Sequence, residues 1–432
     1  MLLGRHISAI ALLCSLSACA EPFPFLNSSD EAVDAASASS FTQTDSEQGS
    51  QVIATLLDRR SLLEDGSTYD TVSTAALDAS SRSSEAELTS AKLRAEASLK
   101  NWLPTLGPSV SLTDLGDLVA GILIEQVLFD NGRRKAEREF AAADVEVAAV
   151  NLSIDMNNRV ETAVALYVAA LRGDEKAALG SRALGQMQEF NRVVSGRVEG
   201  GISDRADLRV VQSKIDGMRS ARATAHEAAA TSRAELKAMT GQEFATAPTR
   251  LSLGTPLDST SFLTVLKANA EATRTVAQTK VERAGLLPQI SASGSATNEG
   301  SGAGLTLDLA TPLGLGTPAL LKAIESARET AERQVAEAEE DARRNYSRQT
   351  QRLTSFRRQE GEAAALARSS RETYQLFQSQ FDAGQRSVLD VVSIYEEWVQ
   401  REQAHIDAKY EVVLIQLELA RDLGILADGD AI

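Results

Sequence analysis

At 432 residues the chain is longer than one ordinary compact domain. Aromatic residues make up only 4% of it, too few rings to fill a wide core, and Ala, Glu, Arg, Leu and Ser, which suit long narrow helices, are abundant. With 60 acidic against 44 basic residues the formal net charge is −16, which excludes a general affinity for nucleic acid phosphates.

The N-terminus has the pattern of a targeting segment: Arg5 and His6 precede an apolar run, residues 7–16, that ends in the small residues Ser17 and Ala18 before Cys19. The run is too short to span a bilayer. Leu16-Ser17-Ala18-Cys19 resembles the lipobox of bacterial lipoproteins, in which cleavage falls before the cysteine and its thiol carries the lipid. That resemblance implies a signal peptide over residues 1–18 and a single lipidated Cys19 in the mature chain, because Cys14 leaves with the signal. Ala20 and Glu21 follow, without the Asp that commonly retains such lipoproteins in the inner membrane, so the outer membrane is implied. A conventional signal peptide with an incidental cysteine is the alternative.

Residues 19–50 are rich in Ser, Ala and acids and poor in large apolar side chains, which predicts a flexible tether. Residues 51–57 and 71–101 have helical composition, the second stretch ending at Leu103-Pro104, where proline forces an extended backbone. The same punctuation then recurs. Leu103-Pro104 returns as Leu287-Pro288 and Gly132 as Gly316, both 184 residues on, while Gly201, Asp207 and Gly241 return as Gly384, Asp390 and Gly424, 183 residues on. Each half therefore has one plan: helix, Leu-Pro, two strands, a very long helix, a glycine turn and a shorter returning helix. The halves are expected over residues 51–241 and 266–426, joined by a linker at 242–265 and followed by a short tail at 427–432.

Spacing argues for the long helices. Val160, Val164, Tyr167 and Leu171 step by three and four, as do Ile324, Ala327, Ala331, Val335, Ala338 and Ala342, giving narrow apolar stripes suited to close coiled-coil packing. Opposite the second stripe run Glu325, Arg328, Glu332, Arg333, Glu339, Arg343 and Arg344, a solvated face. One helix from Arg133 to Val198 would reach roughly 100 Å. Strands are predicted where Ile290, Ala292, Gly294 and Ala296 alternate with polar residues, and again around Leu305, Leu307 and Leu309. A first hairpin is expected from strands at residues 109–113 and 118–125, with poorer alternation and only about 5 to 8 residues per strand, short of the roughly 9 to 11 a membrane-spanning strand needs. No other segment has the roughly 20 continuous apolar residues of a membrane helix, so any crossing would be made by a β-barrel. Four strands cannot enclose a lumen, so such a barrel would be shared by several chains.

The stretches LPTLGPSVS, EQVLFDNGRRKAE, GRVEGGISDRADLRVVQSKID, AELKAMTG, LLPQISASGSA and FDAGQRSVLDVVSIYEEW, in this order and duplication, resemble the TolC family of outer membrane efflux and secretion proteins over residues 50–426. The resemblance implies a mainly α fold with a small β part: long antiparallel coiled-coil helices forming a periplasmic α-barrel, and four strands per chain given to a barrel shared by a homotrimer. It also implies a periplasmic adaptor and an inner-membrane pump as partners, outer membrane lipid around the barrel, and no cofactor. The turns at residues 199–207 and 382–390 match those that close the pore and meet partners. Asp390 is placed in an acidic constriction and Asp207 and Arg386 in a closing polar contact, with Asp382 and Asp204 beside them and Gly200, Gly201 and Gly384 in the partner-contact turns. Like carboxylates gathered at a symmetry axis repel one another and attract cations, while an Asp–Arg pair can lock one helix pair to another. Ordinary solvated charges at helical turns are the alternative. Ser393 stands where the family often has a second aspartate, and Phe381 where a tyrosine can join the contact, so a less acidic, differently held gate is expected.

No catalytic constellation emerges. His6, His226 and His405 lack ligand spacing, and Gly300, Gly302 and Gly304 lack the Lys-Ser/Thr of a phosphate loop and lie between alternating strands. Tyr395 and Trp398, three apart, suit helix packing. The resemblance thus implies a passive conduit for drug or metal efflux or for type I secretion; the rival is a lipid-tethered periplasmic coiled-coil scaffold or adaptor without a pore.

Overall fold

A computed structural model describes residues 50–80, 82–113, 117–245, 261–298, 300–309 and 314–431, all within the unit Ser50–Ile432. The expected signal peptide, Cys19, the expected tether, residues 114–116 and most of the expected linker lie outside the described residues. In order come α1 (Gln51–Leu57), α2 (Thr68–Asp78), α3 (Ser83–Leu99), β1 (Thr105–Thr113), β2 (Asp117–Phe129), α4 (Arg133–Glu199) and α5 (Arg205–Thr240). The second half follows with α6 (Leu263–Gly285), β3 (Pro288–Thr297), β4 (Gly300–Leu309), α7 (Thr317–Asp382) and α8 (Val388–Leu423). No helix among the described residues is long and apolar enough to cross a membrane.

The single helix expected over residues 71–101 is two, α2 and α3, broken where Ser80 to Ser83 cluster. Serine side chains compete with the helix for backbone hydrogen bonds, so such a cluster favours an interruption. The strands are longer than expected. β1 has 9 residues and β2 has 13, and β3 and β4 have 10 each, which meets the roughly 9 to 11 needed to span a hydrocarbon core.

α4 has 67 residues, about 100 Å of helix, and is the central rod on which α5, α6, α8 and α3 pack. Its predicted stripe, Val160, Val164, Tyr167 and Leu171, is buried. Close approach of α5 depends on Gly173, where an added Cβ would fall 2.8 Å from both the Ala225 carbonyl oxygen and the Ala229 Cβ. α7 buries a much narrower stripe, which includes Ile324, Ala331 and Ala342, against its neighbours.

About a third of the way along α4 the two ends of the described chain meet. Asn157 Oδ1 accepts from the backbone N–H groups of Leu426 at 2.9 Å and Ala427 at 3.3 Å, while its Nδ2 donates to the Ser153 carbonyl at 2.8 Å. Residues 59–62 lie along the same C-terminal stretch. Leu62 N–H donates to Ile425 O at 2.8 Å, Gly429 N–H to Arg59 O at 3.0 Å, and Ser61 Oγ to Leu426 O at 3.0 Å. The Arg59 guanidinium, 6% exposed, donates to the carbonyls of Leu423, Gly424 and Ser261, and burial pushes its pKa down to about 10, so it stays charged at neutral pH.

Nearby, Glu161 on α4 faces Glu418, Arg421 and Asp422 of α8. Burial raises its pKa, and the carboxylates of Glu418 and Asp422 add to the rise against the pull of Arg421. A group whose folded pKa lies above its unfolded value contributes stability that is full below the unfolded pKa and lost as pH rises through the folded one. Glu161→Gln, a neutral isostere, is therefore expected to raise the melting temperature slightly at pH 7, with the gain vanishing below about pH 4. Thermal unfolding followed by circular dichroism across pH checks this, and a gain that persists in acid would rule it out.

Candidate functional site

The sheet runs β1-β2-β3-β4, antiparallel throughout, and its register sorts side chains by chemistry. Leu106 stands opposite Ile124 and Pro108 opposite Ile122. Those two isoleucines meet Gly294 and Ala296 of β3, while Leu305 meets Ala292 and Leu307 meets Ile290. Residues directly opposite share a face and successive residues alternate, so these form one apolar band across all four strands. Leu305 and Leu307 are 72% and 71% exposed. The other face, apart from Val119, Leu123 and Val127, is built from Ser, Thr and Gly, including Thr105, Ser109, Ser293, Ser295 and Gly304, with the acids Glu125 and Asp308. Ser291 and Thr306 hydrogen-bond across it, Oγ to Oγ1, at 2.7 Å. β1 and β4 each pair on one side only, leaving two open edges.

The two helical hairpins end in matching turns. At the first, Gly200 caps α4 and Gly201 takes φ +70°; Gly201 N–H donates to Val198 O and Ile202 N–H to Arg197 O. At the second, Gly384 takes φ +73°, its N–H donates to Phe381 O, and Gln385 N–H donates to Gln380 O. Both are helix stops that turn the last carbonyls inward around a left-handed residue, which glycine adopts without a Cβ clash. The returning helices begin alike, with Asp204 as N-cap accepting from Ala206 N–H and Ser387 as N-cap accepting from Asp390 N–H.

Above these turns the hairpins are tied by rings and charges. Tyr395 packs edge-on against Phe190 of α4, and Tyr374 of α7 stacks on Trp398 with centroids 5.6 Å apart. Lys214 of α5 pairs with Glu396 of α8. Asp407 of α8 takes Arg172 at 2.7 Å and Lys176 at 3.1 Å, and Glu175 takes Lys409 at 2.6 Å and the Tyr410 hydroxyl at 2.8 Å. Burial, with Glu175 adding to it, pushes the Tyr410 hydroxyl pKa up, so it remains a donor at any physiological pH.

Compared with known proteins, residues 263–424 match the family model described as outer membrane efflux protein. Three solved structures each cover more than four fifths of the chain. A membrane protein from Pseudomonas aeruginosa aligns with TM-score 0.74 at 18% identity, covering 85% of this chain and 92% of its own. The CmeC outer membrane channel of Campylobacter jejuni gives 0.69 at 13%, covering 83% and 86%. The MtrE outer membrane channel of Neisseria gonorrhoeae, in its open state, gives 0.64 at 17%, covering 88% and 89%. The chain has the TolC-family fold. No curated protein sequence matches it.

On this TolC-family fold the residues singled out for closure all sit at the two hairpin turns, and Asp204, Asp390 and Arg386 have local partners there. Asp390 accepts from Ser387 N–H at 3.3 Å and so completes a reciprocal capping box. Asp207 occupies the same position in α5, half-buried, and Asp382 is exposed at the end of α7. Arg386 donates from Nε to Gln380 Oε1 at 3.0 Å and lies over the Phe377 ring, 4.2 Å from its centroid. Among the described residues no hydrogen bond or ion pair joins it to Asp207. A contact that does join the two turns is that of Arg197, whose guanidinium stands 5.9 Å from the centre of the Phe381 ring. That contact spans 184 positions and had no local signal in the sequence. His405 lies 3.5 Å from Glu360, and among the described residues no group of three or more His, Cys, Asp or Glu is placed to hold a metal.

Proposed function

We propose that the chain is the outer membrane channel component of a tripartite efflux or type I secretion system: a homotrimeric passive duct across periplasm and outer membrane, anchored through lipid at Cys19 and engaged by a periplasmic adaptor and an inner-membrane pump. The observation that carries this reading is the sheet, with one apolar face, one polar face and two open edges, set on helical hairpins about 100 Å long. Unpaired edges of this length need partner strands, and further copies of the same sheet supply them while turning the apolar faces to lipid and the polar faces to a lumen. The matched family and two of the similar structures, both outer membrane channels, support the same reading and favour efflux.

In this duct the hairpin turns form the periplasmic gate, Gly200, Gly201 and Gly384 shape the surface offered to the partners, and Asp390, Asp207, Asp204 and Asp382 line the constriction. Arg386 and Asp207 meet between chains. Because Asp390 also caps α8, its charge has to be separated from its capping role, and Asp390→Asn does this by keeping an acceptor at that position. In planar bilayers the wild-type trimer is expected to give discrete ohmic steps, and Asp390→Asn is expected to lower cation preference with helicity unchanged. Unaltered selectivity would remove Asp390 from the constriction, and a monomer or dimer without conductance would favour the tethered scaffold. Mass spectrometry of the mature N-terminal peptide tests the anchor: an unacylated Cys19 would end that part of the proposal.

A further inference from the structure

The first turn of α4 carries Arg133, Arg134 and Lys135 and no acid, at the end of a helix where the backbone dipole favours negative charge. Nearby carboxylates are already engaged. Asp130 accepts from the N–H groups of Gly132 and Arg134, Glu137 from Arg133 and Asn101, Glu96 from Lys100, and Glu139 from Lys280. Among the described residues Arg134, Lys135 and Arg138 have no carboxylate partner; Arg138 donates to the neutral Asn101 Oδ1 at 2.7 Å, and one terminal nitrogen of Arg134 is buried without a hydrogen-bond partner, which leaves the rest of its guanidinium as the part that meets the surface. In a chain of net charge −16 this is a local reversal of sign. Beside it Trp102 is 61% exposed, and Leu128 and Phe129 are also exposed.

Resting on the reading of the sheet as membrane-spanning, we propose that this surface binds the phosphate headgroups of anionic phospholipid in the inner leaflet of the outer membrane. Arg134, Lys135 and Arg138 would engage the phosphate, and Trp102 and Phe129 would seat in the glycerol and upper acyl region. The dimensions agree. At 1.5 Å per residue these cations lie within about 8 Å of the helix start, against a headgroup layer roughly 5–8 Å deep on each side of the hydrocarbon. Charge complementarity and continuity with the apolar face favour a lipid over a soluble anion, since Trp and cationic side chains share the headgroup level of a bilayer. The second junction differs: 184 residues on stand Thr317, Pro318 and Ala319, with Leu315, Leu320 and Leu321 exposed. Of the cations only Arg138 has a counterpart there, the exposed Lys322, so the first junction is the more cationic of the two and the second the more apolar.

The test is native mass spectrometry of the full chain in detergent, titrated with phosphatidylglycerol or with phosphatidylcholine. Wild type is expected to retain phosphatidylglycerol about tenfold better, and Arg134→Gln/Lys135→Gln to lose that preference with oligomer mass and helicity unchanged. Equal retention of the two lipids by wild type, or an undiminished preference in the double variant, overturns the proposal. So does competition by millimolar inorganic phosphate that strips the lipid completely, which would point to a soluble anion. Should the variant misfold, wild type alone decides the matter: a preference that salt does not weaken is not electrostatic and overturns it. A trimer that conducts without lipid preference sinks only this inference, whereas failure to form a conducting trimer, read on the same sample, sinks the channel reading.

Discussion

Arg59→Ala is expected to destabilise the chain by about 3 kcal/mol, because it strands three carbonyl acceptors and empties a buried guanidinium site in one step. Those acceptors come from places far apart in sequence: Leu423 and Gly424 at the end of α8, and Ser261 just before α6. The charge also sits at the C-terminus of α8, where the helix dipole favours a cation. Gly424 has φ +67° and an added Cβ there would collide with Arg59 and Leu263, so the junction has no slack to refill the space. For a chain of this size the loss corresponds to a fall of about 4 °C in melting temperature. Arg59→Lys keeps the charge but reaches fewer carbonyls, and should fall between the two. A melting temperature for Arg59→Ala within a degree of wild type would show that the knot is dispensable.

That knot also shows where sequence reasoning stops. The long helices were legible because their apolar steps of three and four are local, and the hairpin turns because glycine is needed where φ is positive. The capping role of Asp390 was missed in favour of the constriction, although Ser387 three residues before it is the signal that could have given it. Arg59 gave no such signal, because its partners lie 202 to 365 positions away and are backbone carbonyls, which leave no trace in residue type. Arg197 over Phe381 escaped for the same reason. Phe381 stands where the resemblance implied a tyrosine, and in place of a hydroxyl it offers a ring face to a cation.

The first hairpin was under-read for a different reason. Gly107 and Pro108 look like strand breakers, so a strand was expected only from residue 109. Within the chain β1 is an edge strand, where a missing N–H is tolerated, and it begins at Thr105. In β2 the stretch from Leu118 to Ile124 is almost wholly apolar, so alternation could not tell its faces apart. Pairing does: Ile122 and Ile124 fall in line with Pro108, Leu106, Ala296 and Gly294, and Leu123 falls on the polar side. A slip of one residue would send every isoleucine to the other face.

This register makes the strongest functional prediction. Leu305 lies mid-strand on the apolar face of β4, and Ser293 lies mid-strand on the polar face of β3, opposite Glu125 on one side and Gly304 on the other. Arginine at a lipid-facing midplane position costs about 2–4 kcal/mol per chain. In a trimer that cost falls on all three sheets of one barrel, so Leu305→Arg is expected to abolish insertion and conductance. Ser293→Arg introduces the same side chain a few ångströms away, yet it should insert normally, because a water-filled lumen solvates the guanidinium and Glu125 can pair with it. Its conductance should shift away from cations as the inner wall loses net negative charge. Fractionation of outer membranes followed by bilayer recording measures both variants. If Leu305→Arg inserts like wild type, or if both variants fail alike, the sheet does not divide lipid from lumen and its apolar face must be covered by protein. A scaffold that never met the hydrocarbon would tolerate either arginine on its solvent-exposed strands, so the contrast between the two substitutions, rather than the loss from either one, separates a channel from a tether.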